Sequence, residues 1–299
     1  MKKIGCIIAL MILLSMVSTI NAEEKKTVIC TTTVIESFVE EIGREKVEVI
    51  SLVQPGTCPA HFDITPGDVH NVSNASLIIY SGIEPWLDDL IKSSGNEDVK
   101  KVLTEGEWNT PEHIIEKMRE IRDALSDVNP TNAEYYEKNA EEAIKKIKET
   151  GEEIQKDADS LNVKNKDVIC MQWQKQFVEW MGFNVVATYG PPEKVSMKDI
   201  NELTKKKAIL VIDNLQSGTK LGSQIAAEIG ARHVILTNFP NAIPKTETLD
   251  KMIQYNADQL FNAVKAQNPK ETEESHILEL ILALIAVAAL LTVLYTRKK

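Results

Sequence analysis

Positive charge is in short supply along this chain: 34 Lys and Arg stand against 44 Asp and Glu, a formal net charge of −10. A nucleic-acid binder needs a basic face to neutralise phosphates, so that class is excluded. Histidine is scarce, with five in the chain, and no Gly-x-Ser-x-Gly elbow, His-Glu-x-x-His pair, phosphate loop or Gly-x-Gly-x-x-Gly fingerprint occurs. No general base beside a completed metal site can be named, so the chain is not expected to be an enzyme. There are four cysteines, Cys6, Cys30, Cys58 and Cys170. Export that removes Cys6 leaves three, and at least one thiol then stays unpaired.

Apolar residues, by contrast, are concentrated at the two ends. Lys2 and Lys3 precede the run Ile7 to Val17, and Ile20-Asn21-Ala22 supplies a cleavage site, so residues 1–22 read as a secretory signal peptide. At the other end Ile277 to Tyr295 is interrupted near its start by Glu279. Nineteen residues at ~1.5 Å each span ~28 Å, about one hydrocarbon core, and 277–295 reads as a transmembrane helix. Arg297, Lys298 and Lys299 place the tail 296–299 in the cytoplasm and everything before residue 277 outside. The two ends hold five basic residues and one acidic residue, so the exported part is more acidic than the whole.

Between the ends, β-rich runs alternate with helix-period stretches, the pattern of βαβ units and parallel sheets. Thr27 to Cys30, Val47 to Val53 and Leu77 to Tyr80 are expected strands of an N-terminal α/β lobe over 23–128, with a helix from Ile35 to Ile42. A C-terminal lobe over 164–266 has expected strands at Val168 to Cys170, Asn184 to Thr188, Ile209 to Ile212 and His233 to Leu236. Asn132 to Leu161 has no Pro and carries Glu-to-Lys pairs four apart, such as Glu141 and Lys145; with its flanks it forms a linking helix over 129–163. Residues 267–276 are polar and read as a linker above the membrane. The fold class is α/β: two parallel-sheet lobes joined by a long rigid helix, with a ligand cleft between the carboxyl ends of their strands.

Within that frame His61 is distinctive, because it lies in the loop from Pro55 to Asp63 directly after a strand. Cys58 and His61 form a C-x-x-H pair of metal-compatible donors, against the blander reading of a packed loop histidine. Asp213 follows a strand and either points its carboxylate into the cleft or caps the next turn. Glu107, Trp108, Gln172 and Trp173 combine aromatic walls with polar anchors, as ligand pockets do.

The stretch from Thr27 to Pro66, continued by Ser81-Gly82-Ile83-Glu84-Pro85-Trp86-Leu87, resembles the N-lobe of the zinc- and manganese-receptor class of ABC-transporter substrate-binding proteins. The likeness runs on through Asn129-Pro130, Tyr136 to Asn139, Met181-Gly182 and Tyr255-Asn256, spanning about 27 to 264. It implies a receptor that binds a metal ion or metal complex and delivers it to a permease powered by a separate ATPase. It also implies four metal ligands, of which His61 alone matches. Gly106 stands at the second position, Met171 at the third and Asn238 at the fourth, where the family has histidine or carboxylate. Zinc or manganese follows from the resemblance; Cys58, His61 and Met171 together suit a softer ion such as copper. The chain is expected to act as a monomer. The alternatives are a receptor for an organic solute, or a surface adhesin that kept the fold without metal.

Overall fold

The computed structural model describes residues 25–55, 57 and 59–266. The expected signal peptide, linker, transmembrane helix and tail, and Cys58 in the His61 loop, lie outside these residues. Among the described residues no helix is long and apolar enough to cross a membrane.

The first lobe runs β1 (Lys26–Cys30), α1 (Thr33–Gly43), β2 (Val47–Ser51), α2 (Pro66–Ser73), β3 (Leu77–Tyr80), α3 (Leu87–Ser94), β4 (Lys100–Leu103) and α4 (Pro111–Val128). Next comes α5 (Ala133–Ser160). The second lobe follows as β5 (Asp167–Met171), α6 (Lys175–Trp180), β6 (Asn184–Tyr189), α7 (Met197–Leu203), β7 (Leu210–Asn214), α8 (Lys220–Ile229), β8 (Arg232–Leu236) and α9 (Leu249–Lys265). Each lobe holds one parallel four-stranded sheet, in the orders β2-β1-β3-β4 and β6-β5-β7-β8. The two orders are equivalent, so the halves repeat one topology.

Central strands of parallel sheets are covered on both faces and therefore read as unbroken apolar runs. Val28-Ile29-Cys30 and Leu77-Ile78-Ile79 are fully buried in the first sheet, as are Val168-Ile169-Cys170 and Leu210-Val211-Ile212 in the second. Alternate residues separate by face. Val28, Cys30, Leu77 and Ile79 join Val168, Cys170, Leu210 and Ile212 in a core shared with α1, α4, α5 and α9. Ile29 and Ile78 pack under α2 and α3, while Ile169, Met171 and Val211 pack under α7 and α8.

The linking helix presents Tyr136, Ala140, Ala143, Ile147, Gly151, Ile154 and Ala158 along one buried face, at the three-and-four spacing of an amphipathic helix. On α5, Asn139 Nδ2 donates to the Ile42 carbonyl at 2.9 Å, tying it to α1. One element departs from the expected order. Strand β4, Lys-Lys-Val-Leu, is an additional edge strand whose exposed lysines give no alternating apolar signal.

Candidate functional site

The loops after β1, β4, β5, β7 and β8 supply the residues that meet between the lobes, as the carboxyl ends of parallel strands do in open sheets. Three side chains of the first lobe donate to backbone carbonyls of the second: Trp108 Nε1 to Asn238 at 2.9 Å, Asn109 Nδ2 to Trp173 at 3.0 Å, and Thr33 Oγ1 to Pro240 at 3.3 Å. The Trp108 ring stacks on Phe239 with centroids 6.2 Å apart. Behind them lies an amide network. Gln174 Nε2 donates to Asn238 Oδ1 at 2.8 Å, and the Asn238 N–H donates to Gln216 Oε1 at 3.1 Å. Thr237 is clamped by Asn256 of α9, which accepts from its N–H at 3.0 Å and donates to its carbonyl at 2.8 Å.

Two acceptors in this seam, Asn109 Oδ1 and Gln174 Oε1, are buried without a donor from the described residues. A buried carbonyl oxygen left unpaired costs free energy that a ligand or solvent donor would recover. The seam therefore offers neutral acceptors and aromatic walls. Among the described residues no group of three His, Cys, Asp or Glu side chains converges as a metal-holding cluster.

His61 ends a short 3₁₀ turn, Pro59–His61, and is exposed. Trp86 holds this turn in place: its Nε1 donates to the Pro59 carbonyl at 2.8 Å and its ring lies 4.4 Å from that of Phe62. Two residues earlier, the Glu84 carboxylate accepts from Thr31 Oγ1 at 2.5 Å and the Ser81 N–H at 3.0 Å, bracing the ends of β1 and β3. Glu107 sits half-buried before Trp108; burial pushes its carboxyl up and His113 pulls it back down. Gln172 and Trp173 are exposed at the end of β5.

Met171 is buried and packs with Ile169, Tyr189 and Val211 against α7 and α8, its Sδ accepting from the Trp173 N–H at 3.2 Å. Asn214 caps the next turn, while its neighbour Asp213 is buried, with the Asp213 carboxylate turned to the helix-covered face of the sheet. There it accepts from Tyr189 OH at 2.6 Å and lies 2.7 Å from His233 Nε2, directly beneath Gly222 of α8. The reason is strand alternation: Asp213 shares a face with Val211, and that face belongs to α7 and α8. Burial beside Asp213 drives the Tyr189 hydroxyl far above its ordinary range, keeping it a donor.

Both described cysteines are free and buried, and burial pushes the Cys170 thiol up to about 12. The residues that sequence reasoning passed over are Thr33, Asn109, Gln174 and Gln216. Their signal was available, since each lies just beyond the end of a strand or its following loop, but polar amides carry no motif of their own.

The manganese ABC transporter substrate-binding lipoprotein PsaA of Streptococcus pneumoniae is 25% identical over 203 residues, covering 56% of this chain and 66% of the relative. The manganese-binding lipoprotein MntA of Halalkalibacterium halodurans is 22% identical over 268 residues, covering 75% and 89%. Another relative, the metal ABC transporter substrate-binding lipoprotein FimA of Streptococcus parasanguinis, is matched over only 56% of its length, so the chain spans two thirds or less of some curated relatives. A manganese-bound periplasmic metal-binding protein from Candidatus Liberibacter asiaticus superposes with a TM-score of 0.68 at 18% identity, covering 80% of this chain and all of that one. A zinc-bound ZnuA deletion mutant superposes at 0.66 with 20% identity, and these two likenesses establish the fold. The profile described as zinc-uptake complex component A, periplasmic, matches residues 28–263. With most of its length inside that profile, the chain belongs to the ZnuA family of periplasmic metal-uptake components.

Proposed function

We propose that this protein is the extracytoplasmic receptor of an ABC importer, taking a metal ion or a metal complex between its lobes and presenting it to a membrane permease whose cytoplasmic ATPase powers uptake. The observation that carries this reading is the family match over 28–263, joined to a histidine-bearing loop pinned by Trp86. His61 is the proposed inner ligand, with Cys58 three residues before it as the second; Asn238 and the flanking Glu107, Trp108, Gln172 and Trp173 supply the polar and aromatic surround. Met171, packed within the second lobe under α7 and α8, stands outside this ligand set. Names of relatives point to manganese or zinc, whereas a Cys-His pair suits a softer ion such as copper. A cleaved leader and a C-terminal helix over 277–295 would hold the receptor, as a monomer, on the outer face of the membrane.

A second reading rests on the three hydrogen bonds from Thr33, Trp108 and Asn109 to the opposite lobe. They join the lobes directly, as the two halves of a surface adhesin would be joined.

Elemental analysis and native mass spectrometry on the full chain, purified in detergent without chelator, separate the two. The receptor reading expects one metal per chain in the wild type and none in His61→Ala, with metal-dependent thermal stabilisation lost in that variant. A chain that binds no tested metal, and melts identically with and without it, rejects the receptor reading in favour of the adhesin.

A further inference from the structure

The edge of the second sheet that carries the N-terminal ends of its strands faces away from the seam, and cations gather there. Lys164 and Lys166 precede β5, Lys205, Lys206 and Lys207 precede β7, Arg232 opens β8 and Lys265 ends α9. All but Lys166 are exposed. Hydrogen bonds from the Ile209 N–H to the Asp167 carbonyl and from the Arg232 N–H to the Ile209 carbonyl bring these strand starts side by side. The acidic residues of the same edge include Asp157 and Asp159 at the end of α5, Asp167, Glu202 and Glu228, and Glu202 pairs with Lys205 at 2.7 Å. Among the described residues Lys164, Lys166, Lys206, Lys207 and Arg232 form no salt bridge within 4.0 Å.

At the equivalent edge of the first lobe, where Lys25 and Lys26 stand at the start of β1, three of the cations are paired. There Arg44 pairs with Glu142, Lys100 with Asp127 and Lys101 with Asp88, at 2.8 to 3.1 Å. Holding like charges together without partners costs free energy, and it is the more notable in a chain of net charge −10. An external anion would relieve that repulsion.

The position of the edge identifies the anion. An open groove of about 590 Å³, lined by Ala208, Ile209, Gly230, Ala231, Arg232 and Ala266, lies in its centre. Ala266 is where the described chain ends, and the apolar run begins at Ile277. Ten intervening residues reach at most ~35 Å when extended, so a chain anchored by 277–295 holds Ala266, and the edge it adjoins, within that distance of the bilayer. We infer that the basic edge docks on anionic lipid headgroups. This rests on the proposed C-terminal anchor. Basic groups close to an anionic bilayer are attracted within about a Debye length, an attraction that salt removes.

The test uses the full chain in lipid nanodiscs, either rich in phosphatidylglycerol or made of phosphatidylcholine alone, with lysine acetylation followed by mass spectrometry. Docking predicts that Lys206 and Lys207 react about five- to tenfold more slowly in the anionic discs, that high salt restores the rate, and that Lys148 on α5 is unaffected. A Lys205→Gln variant, altering an exposed side chain, should weaken the protection of its neighbours without changing thermal stability. Equal rates in the two lipids overturn the docking while leaving the anchor intact. Equal protection in both lipids and in detergent also overturns it, showing that the acidic residues of 267–276 cover the edge. Failure of the chain to remain with the discs rejects the anchor, and the docking falls with it.

Discussion

Gly222 carries no side chain because the Asp213 carboxylate and the Tyr189 hydroxyl fill the volume a methyl group would need. A Cβ there would stand 2.2 Å from Asp213 Oδ2 and 2.4 Å from Tyr189 OH. Gly222→Ala must therefore displace a buried hydrogen-bonded group, and overpacking of this kind costs ~1–3 kcal/mol. Urea unfolding should show that loss; a variant as stable as wild type would mean that the Tyr189–Asp213–His233 arrangement yields freely. The same cluster explains a limit of reading by residue. Asp213 at a strand end was legible as a special carboxylate, but its face was not, because facing depends on which helix layer covers each side. Asn109 gained meaning only when the opposite lobe supplied its partner, and Gln174 only when the loop after β8 did.

Helix α5 shows how an element-level rule can reverse sign in context. Ala normally exceeds Gly in a helix interior by ~1 kcal/mol, so Gly151→Ala would ordinarily stabilise a helix of 28 residues. Here the new Cβ would lie 2.8 Å from Pro111 Cγ and 3.3 Å from its Cβ, against the stiff, buried ring that opens α4. The expected outcome is a net loss of ~1–2 kcal/mol, read as a lower urea midpoint at unchanged m value. A gain in stability would show that α4 and α5 separate at little cost. The helix itself was evident from its periodicity and the absence of proline, and two shorter ones carry capping boxes, Thr65 with Asp68 and Ser196 with Asp199. Strand β4 was not evident, since an edge strand with exposed lysines owes its existence to pairing with β3.

At the scale of the molecule, a carboxylate pair joins the first lobe to the last helix. Glu41 of α1 is largely buried and faces Asp250 of α9, with the Leu249 backbone, Lys146 and Arg44 as partial compensation. Burial, reinforced by Asp250, raises the Glu41 carboxyl from 4.5 to about 7. The folded state therefore holds a proton that the unfolded chain releases, and stability is greatest below pH 4.5 from this group and declines as pH rises to about 7. The change amounts to ~3 kcal/mol as an order of magnitude. Glu41→Gln should remove that part of the slope in urea unfolding measured across this range; an unchanged slope would assign it to other carboxyls.

The sequence by itself determined the two-lobe parallel fold, the spine, the acidic balance and the family, because buried strands, helix periodicity and turn motifs are local patterns that survive divergence. Tertiary structure alone decided which polar residues meet. The seam joins Thr33, Trp108 and Asn109 to carbonyls that lie 64 to 207 residues away along the chain, and no local pattern encodes a contact whose two halves are set by separate sheets. The same holds for Asp213, whose carboxylate lies in the C-lobe core because α8, with its glycine, closes over that face of the sheet.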